Sequence, residues 1–269
     1  MTTNEWLETS THLLEKFGIT TSRLDCLILL EDTTGKDRSW LLAHPELELS
    51  IEMVSELENK IKRRVNHEPL AYIRSKSEFF GREFTVSADT LEPRPESETI
   101  IELLKSLKLH GSIIDVGTGS GCLAITTKLE IPELEVMATD ISATALKIAQ
   151  KNALKHDTDI KFFLGDLLTP IPVSLKPTVI MANLPYVPNS HTINSAAMFE
   201  PKLAIFGGPD GLDLYRQLFF QIANNVQFEG VKFVLTESLP PQHNELAKIA
   251  LSAGFKLKKT DDFIQVFTS

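Results

Sequence analysis

Cysteine is scarce in this chain, long apolar runs are missing, and positive charge is outnumbered by negative. Its two cysteines, Cys26 and Cys122, lie far apart, which excludes both a disulfide framework and a cysteine-based metal site. The seven histidines are scattered without ligand spacing, so no metal is expected. A net charge of −9 argues against a broad nucleic-acid surface, because affinity for phosphate backbones rests on Lys and Arg displacing counterions. No apolar stretch approaches the ~20 residues that cross a bilayer. Residues 1–10 are polar and acidic, without a positive start or an apolar core behind it. A cytoplasmic monomer with no membrane partner is the expectation.

What is present is an ordinary globular composition, 42% hydrophobic and 23% charged, over 269 residues. That length exceeds a usual single domain. The expected division is a helical domain over 1–74, a hairpin linker over 75–92 and a larger domain over 93–269. In the first, Trp6, Leu7, Leu13, Leu14 and Phe17 recur at helical spacing before Gly18, a plausible stop. Thr21 or Ser22 opens a second apolar set, Leu24, Leu27, Ile28 and Leu30, and Ser50 opens a third, Ile51, Val54, Leu57, Ile61 and Val65. Its one basic cluster, Lys60, Lys62, Arg63 and Arg64, reads either as a solvated helix end or as a contact for an acidic or phosphate-bearing partner.

From Glu78 to Val86 strand formers surround a glycine, which fits a short hairpin. Pro93-Arg94-Pro95-Glu96-Ser97-Glu98 then leads into a helix carrying Ile100, Ile101, Leu103 and Leu104. Beyond it strands alternate with helices: strands over 112–116, 134–139, 160–163, 178–182 and 231–235, helices over 122–129, 143–155, 212–223 and 244–251. Two closing strands, 255–257 and 263–267, suit an antiparallel edge. This alternation predicts an α/β fold with a mostly parallel sheet and helices on both faces.

The chemistry gathers at strand ends. Val179 to Ala182 reads as a buried strand, and Pro185 cannot donate to a ladder, so the strand stops near Asn183. In open α/β sheets ligands bind at that carboxyl edge. Asn183-Leu184-Pro185-Tyr186 therefore presents an amide, a proline-fixed backbone and an aromatic ring together. Asp115-Val116-Gly117-Thr118-Gly119-Ser120-Gly121 closes the first strand of the alternating region; glycines there let a backbone approach a ligand closely. The last glycine of a dinucleotide fingerprint is replaced by Cys122, and no P-loop lysine follows. Asp140 ends the next strand, placed for the hydroxyls of a ribose, and Asp166 follows the third, placed for an adenine amino group. The ordered set points to a nucleoside cofactor.

That set resembles class I methyltransferases that use S-adenosylmethionine. Pro69-Leu70-Ala71-Tyr72-Ile73, Phe80-Gly81, the Pro93–Glu98 stretch, Asp140-Ile141-Ser142, the Asn183 motif, Phe199-Glu200-Pro201 and Gly207-Gly208-Pro209-Asp210-Gly211-Leu212-Asp213-Leu214-Tyr215-Arg216 are similar to the release-factor glutamine N5-methyltransferases (PrmC/HemK family). The resemblance implies a Rossmann-like, mostly parallel seven-stranded sheet with an N-terminal helical bundle joined by a β-hairpin. It implies that Gly117, Thr118, Gly119 and Gly121 pass along the methionine and ribose, with Asn183 bordering the cofactor. Asp140 would hold the ribose, and Asp166 with the Leu167 backbone would meet the adenine. Asn183, Leu184, Pro185 and Tyr186 would hold the glutamine of a Gly-Gly-Gln loop in a peptide chain release factor, and Tyr186 could stack on the planar amide. The N-terminal helices would dock that protein's body. On local grounds the charged, proline-flanked Pro93–Glu98 stretch reads either as a helix entry or as a lining of the site by Arg94 and the carboxylates.

Two departures from the family pattern stand out. Leu184 replaces the usual proline after the asparagine, and residues 256–269 lack the usual closing basic pattern. Asn-Leu-Pro-Tyr also resembles ribosomal RNA adenine dimethyltransferases, which makes a nucleic-acid adenine the alternative substrate. A cofactor-binding domain that only docks partners is the non-enzymatic alternative.

Overall fold

The computed structural model describes all of residues 1–269, which divide into two compact units. One contains Met1–Ser75 with Ile193–Phe199; the other contains Lys76–Thr192 with Glu200–Ser269. No helix is long and apolar enough to cross a membrane.

The first unit is helical: α1 (Thr3–Lys16), α2 (Ser22–Thr34), α3 (Arg38–Ala43), α4 (Ile51–Val65) and α5 (Leu70–Arg74). Thr2 and Glu5 form a capping box that satisfies opening donors of α1, and Gly18 at φ 76° follows its end. The six-residue α3 is too short to show a 3.6-residue period in the sequence; the Asp37 side chain caps it. Trp6, Leu14, Leu29, Leu30, Leu57 and Ile61 meet in one core. The basic cluster is mostly consumed within the unit. Arg64 Nε binds Asp25 Oδ2 at 2.7 Å, Arg63 Nε binds Glu68 Oε2 at 2.8 Å, and Lys60 pairs with Glu56.

The second unit opens with the hairpin of β1 (Lys76–Phe79) and β2 (Arg82–Thr85). Its turn residues Phe80 and Gly81 both have positive φ, 52° and 69°, as a two-residue hairpin loop of type I′ requires. Phe79 and Phe84 bury against Ile100, Ile101 and Leu104 of α6 (Glu98–Ser106). The remaining elements are β3 (Ser112–Val116), α7 (Cys122–Glu130), β4 (Glu135–Asp140), α8 (Ala143–Lys155), β5 (Lys161–Leu164), β6 (Val179–Ala182), α9 (Lys202–Ile205), α10 (Asp213–Ala223), β7 (Phe233–Glu237), α11 (His243–Ser252), β8 (Lys256–Asp261) and β9 (Ile264–Thr268).

The seven strands run in the order β5-β4-β3-β6-β7-β9-β8. The first five are parallel, and β9 is antiparallel to both of its neighbours. The final strand thus inserts beside β7 and leaves β8 at the edge, where its exposed Lys256, Lys258 and Lys259 discourage further strand pairing. Helices α6 and α7 cover one face, with Leu104 and Ile125 in its core; α10 and α11 cover the other with Leu218 and Leu246. Strand order reverses between β3 and β6, so a crevice opens beyond their carboxyl ends. The glycine turn and the Asn183 turn both lie there.

Candidate active site

At the end of β3 the backbone folds back onto β4. The N–H groups of Gly117 and Thr118 both donate to the Thr139 carbonyl at 2.9 Å, and Gly119 N–H donates to Asp140 Oδ2 at 2.8 Å. Asp140 Oδ1 accepts Ser142 N–H at 2.8 Å, so this carboxylate holds both loops while facing the crevice. Burial pushes its pKa up, opposed by the N–H groups of Ser142, Gly119 and Ile141. A cavity of about 260 Å³ lies over these loops. Gly117, Thr118, Gly119, Asp140, Asp166, Leu167, Asn183, Leu184, Pro185 and Arg94 all line it. Gly121 and Tyr186 do not. A Cβ on Gly121 would stand 3.0 Å from Ala149 Cβ, so this glycine lets α7 and α8 approach each other.

Asp115 lies beneath the turn, fully buried, accepting the Thr118 hydroxyl at 2.6 Å. Burial pushes its carboxyl up to about 7, with the Asp140 charge adding to the shift and Thr118 opposing it. The folded chain therefore keeps a proton that the unfolded chain releases near pH 4. The contribution to stability is complete below that pH and is lost as pH rises through about 7. Asp115→Asn, which needs no proton to be neutral, is expected to raise thermal stability at pH 8 by up to about 4 kcal/mol and by less at pH 5. Equal shifts in melting temperature at both pH values would contradict a buried neutral acid.

On the other side of the crevice, Asn183 Nδ2 donates to Ser97 Oγ at 2.9 Å, and Ser97 Oγ donates to Glu237 Oε2 at 2.6 Å. The Tyr186 hydroxyl donates to Glu237 Oε1 at 3.0 Å. Tyr186 is thus turned towards β7 and packs partly into the core there, and burial pushes its phenol well above the usual range. Asn183 Oδ1 receives no bond from the protein. Glu237 is the functional candidate that sequence reasoning missed. Its signal was present, because it ends strand β7 as Asp140 ends β4.

The Gly207–Arg216 stretch buttresses this turn. Gly207 N–H donates to the Val187 carbonyl at 3.0 Å, Val187 N–H to Ile205 at 3.0 Å, and Asn189 N–H to Gly208 at 2.9 Å. Gln242 Nε2 bonds the Tyr186 and Asp210 carbonyls at 2.7 and 2.8 Å. Leu184 uses what a proline lacks: its N–H donates to the Tyr215 hydroxyl at 3.2 Å, and its side chain lies against Gly117. Its carbonyl accepts no hydrogen bond. Arg94 grips both oxygens of the buried Glu200 at 2.7 Å, which gives Glu200 a role in holding the Arg94 loop.

This sheet order, with a glycine turn and acidic strand ends around one crevice, is the fold of class I methyltransferases. A solved methyltransferase from Pyrococcus furiosus shares it with a TM-score of 0.52 at 17% identity, over 78% of this chain and 98% of that one. Residues 5–74 match the profile of the PrmC N-terminal domain, and residues 92–199 that of the methyltransferase small domain. The release factor glutamine methyltransferase of Koribacter versatilis is 36% identical over 82% of this chain and 81% of its own length. That of Staphylococcus aureus is 32% identical over 91% and 94%. The chain belongs to the release factor glutamine methyltransferase family and is a methyltransferase dependent on S-adenosylmethionine.

Proposed function

We propose that this enzyme transfers the methyl group of S-adenosylmethionine to the side-chain amide nitrogen of the glutamine in a Gly-Gly-Gln loop of a peptide chain release factor. The observation that carries the reading is Asn183, whose Nδ2 is tied down inside the protein while its Oδ1 is unbonded beside the cavity.

The crevice suits the cofactor. Gly119 has φ 55°, and a Cβ there would enter open space within the cavity, so a glycine leaves room for a ligand against the backbone. Gly117, Thr118 and Gly119 would lie along the methionine and ribose, with Gly121 supporting the turn from behind. Asp140 would take the ribose hydroxyls with its remaining lone pairs. Asp166, exposed at the rim, and the Leu167 backbone would meet the adenine. The bound cofactor supplies an electrophilic sulfonium methyl.

What the chain must add is a better nucleophile, because an amide nitrogen's lone pair is delocalised; the ~18–20 kcal/mol rotational barrier measures that conjugation. Asn183 Oδ1 and the Leu184 carbonyl would accept the two amide hydrogens, aim the nitrogen and stabilise the positive charge that grows on it. Pro185 has no N–H, so no donor from that residue competes at the turn. Arg94, neutralised by Glu200, would border the substrate. Tyr186 would act through Glu237, since its ring does not line the cavity. No general base is needed before attack, and the proton leaves to water.

An adenine amine has similar geometry, but the net charge of −9 and the PrmC-type N-terminal helices favour a protein substrate docked by those helices. Incubation with S-adenosylmethionine and either a Gly-Gly-Gln release factor or ribosomal RNA, read by mass spectrometry, separates the two. One methyl on the glutamine supports the proposal, and methyladenine would refute it. Asp140→Ala is expected to weaken cofactor binding by about 1.5–3 kcal/mol, the scale of a hydrogen bond to a charged group. Unchanged affinity by calorimetry would remove Asp140 from the site.

A further inference from the structure

We propose that Ser97 and Glu237 are positioning residues that decide which end of the Asn183 amide faces the reacting nitrogen. The inference deepens the glutamine reading above and rests on it for the identity of the acceptor.

The two ends of a carboxamide are nearly the same size, so packing alone does not distinguish them. For methyl transfer they are opposites. With Oδ1 towards the substrate, Asn183 accepts a hydrogen bond from the substrate amide N–H. With Nδ2 there, two N–H groups would face two N–H groups, and no charge would be stabilised.

The hydrogen bonds behind Asn183 make the choice. Ser97 has a single hydroxyl proton, and Glu237 Oε2 takes it at 2.6 Å. The serine oxygen is then left with lone pairs only, and its other neighbour must donate. That neighbour is Asn183 Nδ2 at 2.9 Å. An ionised carboxylate thus fixes the Ser97 hydroxyl, the hydroxyl fixes the amide, and Oδ1 is turned outwards. Glu237 Oε1 is already occupied by the Tyr186 hydroxyl. Ser97 is 2% exposed and Glu237 1%, so a flipped amide would meet the serine lone pairs without water to relieve it.

The relay holds only while Glu237 is charged. Burial pushes its pKa up, and the neighbouring Glu96 adds to this, while the bonds from Ser97 and Tyr186 and the nearby Asn183 amide oppose it. Its other ionisable neighbours, Tyr215 and Cys122, have pKa values pushed up by burial, Cys122 to about 12, and stay neutral at working pH. Once protonated, Glu237 becomes a donor and the Ser97 proton is free to turn towards Asn183.

The test compares the wild type with Ser97→Ala, Ser97→Thr and Glu237→Gln on a release factor, together with NMR of the asparagine side-chain amides in the full chain. Ser97→Ala should lower kcat by about 10–100-fold, as loss of a partner that orients a ligating group does. The KM for the factor and the Kd for cofactor should stay within about twofold, the split expected of an interaction made in the transition state. Ser97→Thr, which keeps the hydroxyl, should restore most of the activity. Glu237→Gln should abolish the acid limb of the pH–kcat profile. In the wild type one Asn183 Nδ2 proton should resonate downfield and exchange slowly, and Ser97→Ala should remove both features. An unchanged kcat in Ser97→Ala, or equal losses in kcat and cofactor affinity, would overturn the inference. A wild type that methylates only RNA would refute the glutamine reading, and the Asn183 resonances would still decide the relay. Unaltered resonances in Ser97→Ala would overturn it.

Discussion

Asn183→Ala is expected to lower kcat by about 10²–10³-fold, the cost of removing one preorganised group that stabilises developing charge. The affinity for S-adenosylmethionine should change little. Oδ1 is the one side-chain acceptor on the turn with no partner inside the protein, and the substrate amide nitrogen must shed its conjugation against something. The scaffold should survive, because Ala182 ends the strand and Pro185 ends the ladder with or without the amide. Single-turnover kinetics beside calorimetry provide the check. Equal losses in turnover and in cofactor affinity would make Asn183 a structural residue instead.

Gly211→Ala is the second large effect, and it acts through the fold. Gly211 has φ 81°, which strains any L side chain. A Cβ there would stand 2.0 Å from the Tyr186 carbonyl oxygen and 2.4 Å from Gln242 Nε2, far inside van der Waals contact. Neither can yield without moving the catalytic turn, since Gln242 Nε2 is what holds that carbonyl. A stability loss of about 3–5 kcal/mol is expected, in the range reserved for steric and backbone failures. Gly230→Ala is the control: a Cβ there meets nothing within 4 Å, and the change should stay within about 0.5 kcal/mol. Thermal or denaturant melts of the two variants test the pair, and a wild-type melt for Gly211→Ala would remove the buttress argument.

Much of this architecture was legible because its signals are short-range. A buried parallel strand is a run such as Val179 to Ala182, and a proline three residues after it marks its end. Strand ends with Gly117, Asp140 and Asn183 are legible for the same reason. The hairpin at Phe80-Gly81 and the alternation of strands and helices needed only local patterns. What escaped was short or distant. Helix α3 covers less than two turns, and β9 pairs with β7 by a register that no local pattern encodes.

The site divides in the same way. From the sequence alone, Tyr186 sits three residues past Asn183 and invites a stacking role; its partner Glu237 lies 51 residues further along the chain. Ser97 and Asn183 are 86 residues apart, yet their bond orients the amide. The Gly207–Arg216 stretch could be matched to a family but given no physical task, because its task is to fill the space behind the Asn183 turn. By itself the sequence determined the class of fold, the strand ends that carry chemistry and the residue types offered there, all consequences of periodicity and of glycine and proline geometry. Only the tertiary structure decided which of those side chains face the cavity and which are spent holding it. Hydrogen bonds and close contacts between distant segments exist only once the strands have been laid side by side.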